Sequence, residues 1–172
     1  IAAGGSLPFW KFMELALYAP GLGYYSAGAT KFGDAGDFVT APEISPLFAA
    51  CVADALTPVL QQLGPDAQFM EIGGGSGAFA ETCLSKLLAN DALPARYAIL
   101  EPSADLRERQ RERLQERLPP LLFELVEWLD GPIQDPWNGV LFANEVIDAL
   151  PTPRFTIRDG EVFEEYVSLD GE

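Results

Sequence analysis

The run Glu71-Ile72-Gly73-Gly74-Gly75-Ser76-Gly77 sets a carboxylate directly before a cluster of glycines. The residues around it predict a strand over 68–72 and a helix over 78–89. Glycine lets the backbone approach a ligand where a Cβ would clash, and a helix N-terminus offers unpaired N–H groups. Strand, glycine loop and helix in this order are typical of a site for a nucleotide-like cofactor at the carboxyl edge of a parallel sheet. The candidate cofactor-binding residues are Glu71, Gly73, Gly75 and Gly77. A glycine-rich turn with no ligand is the alternative.

Glu101 follows the next predicted strand, 97–100. A carboxylate at this place can accept hydrogen bonds from both ribose hydroxyls of a nucleoside. NAD and S-adenosylmethionine both carry such a ribose, so Glu101 predicts a nucleoside cofactor without choosing between them. A surface acid at a strand end is the alternative.

The glycine spacing bears on that choice. Gly73-x-Gly75-x-Gly77 after an acid is similar to the first motif of class I S-adenosylmethionine methyltransferases, while Gly73-x-Gly75-x-x-Ala78 fits the looser dinucleotide fingerprint. The long segment 1–67 before the loop is unusual for a dinucleotide fold. The acid two positions before the first glycine also suits a sulfonium and an amino-acid group rather than a pyrophosphate. The sequence therefore favours S-adenosylmethionine, with an NAD(P)-dependent oxidoreductase as the alternative.

Polar residues follow another apolar strand, predicted over 139–143. Asn144 is a candidate cofactor-binding residue at the same sheet edge. Glu145 and Asp148 are three positions apart and would share a face of a helical turn. Two carboxylates there could hold a guanidinium by bidentate hydrogen bonds, so both are candidate catalytic residues. The alternative is a helix N-terminal acid beside a surface acid.

Composition excludes several classes of function. The chain of 172 residues carries a net charge of −15, which disfavours a nucleic-acid partner and suits a cationic substrate, although solubility alone could account for it. There is no histidine, so Ser-His-Asp triads and histidine metal sites are excluded. Cys51 and Cys83 have no metal-ligand spacing and predict buried thiols in a reducing compartment. No metal, secretory leader or membrane insertion is expected.

The remaining pattern predicts the elements that position these residues. Ser6 is expected to cap a helix that runs to Tyr18, and another helix is expected to span Ser45 to Gln62 with Gly64 as its stop. Ser103 is expected to cap a charged helix to Leu118. Further strands are predicted over 122–126 and on both sides of Asp159-Gly160, a hairpin signal. The fold class is α/β, a doubly wound Rossmann-like sheet after an α-helical N-terminal region, with domains 1–64 and 65–172.

Longer stretches resemble the MidA-like family of methyltransferases. They are Gly36-Asp37-Phe38-Val39-Thr40-Ala41-Pro42-Glu43, the glycine run, Glu101-Pro102-Ser103 and Asn144-Glu145-Val146-Ile147-Asp148-Ala149-Leu150-Pro151. The resemblance implies a class I fold that uses S-adenosylmethionine. It also implies that the 37–43 loop folds over the cofactor, with Thr40 and Glu43 near it. Trp128 is expected against the adenine, or in the core. Gly74 stands where relatives often carry another small residue.

The family's mitochondrial members are protein arginine methyltransferases that assist assembly of respiratory complex I. The resemblance therefore implies a methyltransferase acting on arginine in a protein, with a complex I subunit as one candidate partner. A non-catalytic assembly factor with the same fold is a further alternative. Four strands and a hairpin are fewer than the seven of a full class I sheet, so the fold is expected to be truncated. Location is expected to be cytoplasmic in a bacterium and the mitochondrial matrix in a eukaryote.

Overall fold

The computed structural model describes residues 5–26 and 41–169. In chain order its elements are β1 (Leu7–Pro8), α1 (Phe9–Tyr18), α2 (Ala41–Ile44), α3 (Pro46–Leu63), β2 (Gln68–Ile72), α4 (Ala78–Ala89), β3 (Arg96–Leu100), α5 (Ala104–Arg117), α6 (Pro120–Phe123), β4 (Val126–Leu129), β5 (Gly139–Ala143), a 3₁₀ turn (Ile147–Ala149), β6 (Phe155–Arg158), β7 (Glu161–Glu164) and β8 (Tyr166–Val167).

The chain divides into two compact units. The larger is Ala29–Val146, and the smaller combines Ile1–Gly28 with Ile147–Glu172. This division differs from the expected boundary between residues 64 and 65. The difference arises because α3, assigned to the first domain from sequence, packs against α4 and contributes buried residues to the same core.

The larger unit contains a parallel four-stranded sheet in the order β4-β3-β2-β5. Ile72 pairs with Leu100 on one side and with Ala143 on the other, so these three strands end at one edge. The parallel sheet and its helices confirm the predicted α/β class. The residues that follow these strands carry the predicted site.

The main apolar cluster of the larger unit lies on one face of this sheet, while Met70 and Ala98 on the other face are also buried. The Phe69 ring stacks on Tyr97 at 4.8 Å, and Phe79 of α4 stacks on Phe142 at 4.1 Å. Met70 and Ala98, one strand position along, are not members of this apolar cluster. Leu141 is 56% exposed, so the described residues do not cover β5 on both faces, although an apolar strand such as β5 is typical of a parallel strand buried on both faces.

Local signals set the ends of two helices, where the Gly64 stop and the Ser103 cap were predicted and the Ser45 cap was not. The Ser45 hydroxyl accepts the Leu47 N–H at 3.1 Å before α3, and Gly64 with φ of 92° follows its last turn. Ser103 caps α5 by accepting the Leu106 N–H. The expected Ser6 cap is wrong. Pro8 precedes α1 with no side-chain cap, and β1 pairs antiparallel with β8 instead.

The third predicted strand is misplaced. Pro119 and Pro120 start the short helix α6, in which Leu122 and Phe123 donate their N–H groups to the Pro119 carbonyl. The strand begins later, at Val126. The hairpin is confirmed, because Asp159 and Gly160 both have positive φ (53° and 83°) between β6 and β7.

The expectation that both cysteines are buried needs correction. Cys51 is exposed, whereas Cys83 is buried as expected, and burial raises the pKa of its thiol. Within the described ranges, α3 is long and apolar enough to meet the length and composition criteria for a membrane span. That helix also places Ala49, Ala53 and Leu60 in the core.

Candidate cofactor site

The glycine loop joins β2 to α4 through left-handed backbone. Gly73, Gly75 and Gly77 have φ of 69°, 52° and 82°, a region that favours glycine over any residue with a Cβ. The Gly73 N–H donates to the Leu100 carbonyl at 3.0 Å, and the Gly77 N–H to the Gly74 carbonyl at 2.9 Å. These bonds fix the loop at the carboxyl edge of β2 and β3.

Glycine is also required here by protein atoms that approach the loop. A Cβ on Gly73 would lie 2.9 Å from Val146 Cγ2. A Cβ on Gly74 would lie 3.0 Å from both Gln110 Nε2 and Ile99 Cγ2. The glycine cluster therefore admits side chains from α5 and from the segment after β5 as well as leaving backbone free for a ligand.

Ser76 connects the loop to α2 and α4. Its hydroxyl donates to the Glu43 carboxylate and accepts the Ala78 N–H of the first turn of α4 at 3.3 Å. Arg113 lies 3.4 Å from the same oxygen and is held by Glu81 at 2.7 Å. Glu43 is thus placed against the glycine loop, and its contact with a cofactor stays a prediction. Thr40 lies outside the described residues.

Glu101 is held at the end of β3 with 5% of its surface exposed. One carboxylate oxygen accepts the Ser103 N–H at 3.0 Å, and the other lies 3.5 Å from Gln110 Nε2. Burial raises the pKa of Glu101 to about 7, although these donors and Arg107 act in the opposite direction. Each oxygen retains capacity for a further hydrogen bond.

Glu71 is the second buried acid, 3% exposed on the neighbouring strand. It accepts the Tyr97 hydroxyl at 2.7 Å. Burial raises the pKa of Glu71 to about 7, and the charge of Glu101 acts in the same direction. Two acids with raised pKa values at one sheet edge are typical of a functional site.

Gln110 was not among the predicted site residues. Its side chain is fully buried, and its Nε2 donates to the Gly75 carbonyl at 2.9 Å. The indole N–H of Trp128 donates to Gln110 Oε1 at 2.9 Å. A signal was present in the sequence. Gln110 lies midway between Leu106 and Leu114 in the buried stripe of α5, where a polar residue is unusual.

Trp128 lies within β4 rather than after it. The Arg111 guanidinium lies 4.7 Å from its ring centroid and the Phe123 ring lies 6.3 Å away. The half-buried indole packs against the core cluster, which agrees with the core alternative. Contact with adenine stays a prediction.

The residues after β5 form a more open group. The Asn144 amide donates to the Glu145 carboxylate at 3.4 Å, and Glu145 and Asp148 are exposed. Glu145 has φ of 52° and precedes the 3₁₀ turn that contains Asp148, so the premise that both acids share one helical turn is wrong. A non-glycine residue in left-handed backbone is strained, and such strain is frequent at functional sites.

Within residues 5–26 and 41–169, no group of three or more Cys, Asp or Glu side chains is arranged to hold a metal ion. The polar groups gathered at the sheet edge are instead backbone N–H groups and two carboxylates. That donor and acceptor set suits a polar organic ligand with hydroxyls and a positive charge.

Comparison with known proteins gives a consistent result. A family model for S-adenosyl-L-methionine-dependent methyltransferases matches residues 51–172. The mitochondrial protein arginine methyltransferase NDUFAF7 homologue of Drosophila melanogaster is 29% identical over 99% of this chain and 44% of its own length. The Caenorhabditis elegans homologue is 26% identical over 98% of this chain and 44% of its own length.

Two crystal structures of Burkholderia thailandensis proteins are also similar. One, bound to S-adenosyl-homocysteine, is 39% identical with a TM-score of 0.79 and matches over 99% of this chain and 48% of that one. The other, a native structure, is 37% identical with a TM-score of 0.74, over 99% and 46%. The chain thus spans somewhat less than half the length of each of these relatives.

Proposed function

The chain belongs to the S-adenosyl-L-methionine-dependent methyltransferase family, and on that premise we propose that it binds S-adenosylmethionine at the carboxyl edge of β2 and β3 for methyl transfer. The observation that carries the proposal is the pairing of a left-handed glycine loop with the buried, hydrogen-bonded Glu101 on the next strand. When bound, S-adenosylmethionine supplies an electrophilic methyl group on a sulfonium. The protein contributes to the transfer by positioning the cofactor and the acceptor.

The glycine loop suits the amino-acid end of this cofactor. The left-handed glycines let the ligand approach the backbone without meeting a Cβ, and the N-terminus of α4 adds a partial positive charge near a ligand carboxylate. The Glu43–Ser76 hydrogen bond fixes a second element against the loop. We propose that Glu43 and Thr40 line the cofactor site on this side.

The buried acids suit the opposite end and the positive charge. Glu101 would accept the ribose hydroxyls on the oxygen lone pairs that Ser103 and Gln110 leave open. Glu71 would stabilise the cationic cofactor from beneath the loop, since a nearby positive charge favours its ionised form. Asn144 follows β5 at the same edge and would contribute polar contacts.

The acceptor that fits best is an arginine side chain in a protein. A chain with a net charge of −15 attracts a cationic substrate, and the exposed carboxylates of Glu145 and Asp148 could bind a guanidinium. The two curated relatives are named protein arginine methyltransferases. We extend that substrate class to this chain, with a subunit of respiratory complex I as one candidate acceptor. The relatives are also named mitochondrial, which supports the matrix for a eukaryotic protein, while a bacterial one would act in the cytoplasm.

Calorimetry tests the cofactor. Titration with S-adenosylmethionine, S-adenosylhomocysteine and NAD should give saturable binding of the first two and none of the third. Binding of NAD alone would favour an oxidoreductase and overturn the proposal.

Methyl transfer tests the activity and the acceptor. The full-length protein, a cell lysate and methyl-labelled cofactor should yield a labelled protein band whose modified residue is arginine by mass spectrometry. Tight cofactor binding with no labelled band would favour a non-catalytic assembly factor. Label on another residue type would refute the arginine assignment while leaving the cofactor site intact.

A further inference from the structure

Gln110 makes three polar contacts from a fully buried position in α5. Its amide oxygen accepts the Trp128 indole N–H at 2.9 Å, and its amide nitrogen donates to the Gly75 carbonyl at 2.9 Å. The same nitrogen lies 3.5 Å from a carboxylate oxygen of Glu101. One side chain therefore joins β3, β4 and the glycine loop.

Trp128 determines which way this amide points. An indole N–H can donate but cannot accept, so it must face the amide oxygen and not the amide nitrogen. The two N–H groups of Gln110 are then directed at the two acceptors on the other side, the Gly75 carbonyl and Glu101. If the amide were rotated by about 180°, its NH₂ group would face the indole N–H of Trp128, donor against donor. Its oxygen would then face the Gly75 carbonyl and the Glu101 carboxylate, acceptor against acceptor.

The loop is shaped to admit this side chain. A Cβ on Gly74 would lie 3.0 Å from Gln110 Nε2, and one on Gly77 would lie 3.5 Å from Gln110 Cα. The Gly77 distance is an ordinary van der Waals contact, whereas the Gly74 distance is tight, so glycine at position 74 leaves room for Gln110 to reach Gly75. This close packing couples the position of the loop to the position of Glu101.

We infer that Gln110, oriented by Trp128, is a positioning residue that holds the glycine loop and the Glu101 carboxylate in register for the two ends of one adenosyl ligand. The inference rests on the proposed function, because it gives Glu101 and the loop a common ligand. Gln110 itself need not touch that ligand. Its donors hold Glu101 in place so that the free lone pairs of the carboxylate face the ribose.

The test compares S-adenosylhomocysteine with its 2′-deoxyribose analogue by calorimetry on the wild type and on Gln110→Met. The substitution keeps the length of the side chain and removes every hydrogen bond. Affinity for S-adenosylhomocysteine should fall about tenfold or more, as expected for losing hydrogen bonds to a charged group. The wild type should bind the deoxy analogue about tenfold more weakly, and that penalty should shrink in Gln110→Met.

Gln110→Glu tests the roles of the amide oxygen and the amide nitrogen separately. It retains an acceptor for Trp128 but brings a second carboxyl beside Glu101. Its binding should therefore weaken more steeply than that of Gln110→Met as the pH falls from 8 to 6, since paired carboxyls hold a proton more tightly. Glu71 on β2 and Arg107 on α5 also act on the charge of Glu101 and remain unchanged in both variants.

A spectroscopic measurement needs no ligand. The indole N–H signal of Trp128, assigned by its loss in Trp128→Phe, should move and exchange faster in Gln110→Met and stay nearly in place in Gln110→Glu. Gln115→Met, the same substitution at an exposed position of α5, is the matched control and should leave all readouts unchanged.

The outcomes are distinguishable. If the wild type binds no S-adenosylhomocysteine, the proposed function fails. If the wild type binds it and folded Gln110→Met binds with unchanged affinity and an unchanged deoxyribose penalty, the inference about Gln110 is wrong and the proposed function stands. A uniform loss for both ligands, with an undiminished penalty, would indicate a purely structural role and also overturn the inference.

Discussion

Two pairs of acids lie at or just beyond the carboxyl ends of the parallel strands, and their surroundings differ sharply. Glu71 and Glu101 are buried, hydrogen-bonded and have pKa values raised to about 7. Glu145 and Asp148 are exposed, and the first sits in strained left-handed backbone. A buried carboxylate has a fixed direction and suits a cofactor bound in one geometry, whereas exposed carboxylates suit a substrate that arrives and leaves.

The largest predicted effect comes from a substitution in the glycine loop, next to the buried acids. Gly73→Ala forces a Cβ into left-handed backbone and toward Val146 Cγ2, 2.9 Å away. We expect affinity for S-adenosylhomocysteine to fall about tenfold to a hundredfold, with a loss of about 2 kcal/mol of stability by urea unfolding. The control is Gly131→Ala, where nothing lies within 4 Å and φ is not left-handed. Equal behaviour of the two variants would contradict the role assigned to the loop.

The pH dependence of binding separates the buried acids from the exposed ones. Ribose hydroxyls donate best to an ionised carboxylate, and Glu101 has a pKa of about 7 in the free protein. Affinity for S-adenosylhomocysteine should therefore be constant above pH 8 and fall about tenfold between pH 8 and pH 6. Calorimetry on Glu101→Gln should show an affinity that does not change with pH. The same titration of Glu71→Gln measures how much the neighbouring acid, with its partner Tyr97, contributes to the pH dependence of the wild type. A wild-type profile without slope would refute the account of Glu101.

Stability should respond to pH in the opposite sense. Because the pKa of Glu71 is raised from 4.5 to about 7, the folded state holds a proton that the unfolded state releases. The free energy of unfolding should fall as pH rises from 4.5 to 7, by up to about 3 kcal/mol for this residue. Urea titrations of Glu71→Gln should lose that part of the slope. Glu112→Gln, at an exposed position of α5, should retain it. If the free energy of unfolding of Glu71→Gln changes with pH as steeply as that of the wild type, Glu71 is not the source of the pH dependence.

The smallest predicted effect on binding concerns the exposed pair. Glu145→Gln should leave S-adenosylhomocysteine affinity within about twofold of wild type, because that carboxylate is exposed and its partner is the Asn144 amide. In the full-length protein the same variant should lower methyl transfer to the acceptor. A large loss of cofactor affinity would instead place Glu145 on the cofactor side.

Local signals predicted the parts of this structure that depend on near neighbours in sequence. Ser103 and Gly64 act as the predicted helix cap and stop, and the glycine loop lies between the predicted strand and helix. The glycines were predicted to allow close approach of a ligand, and in the structure protein side chains approach two of them. The sequence did not reveal that Gln110 and Val146 are among the groups that approach.

The errors arose where distant contacts decide the conformation. β1 forms because Leu7 pairs with Val167, which no local pattern indicates. The strand predicted from Leu122 gave way to a helical turn set by two prolines. The hydrogen bonds from Trp128 to Gln110 and from Gln110 to Gly75 depend on the register of β4 and the rotation of α5. The sequence alone shows only that Gln110 is a polar residue in an apolar stripe.

The most direct measurement is calorimetric titration of Glu101→Gln with S-adenosylhomocysteine at pH 8, beside the wild type and Glu112→Gln. The account predicts saturable binding by the wild type and the control, and binding about a hundredfold weaker by Glu101→Gln, since two charge-assisted hydrogen bonds are lost. Binding by a folded Glu101→Gln within twofold of wild type would contradict the claim that this carboxylate and the glycine loop hold the same ligand.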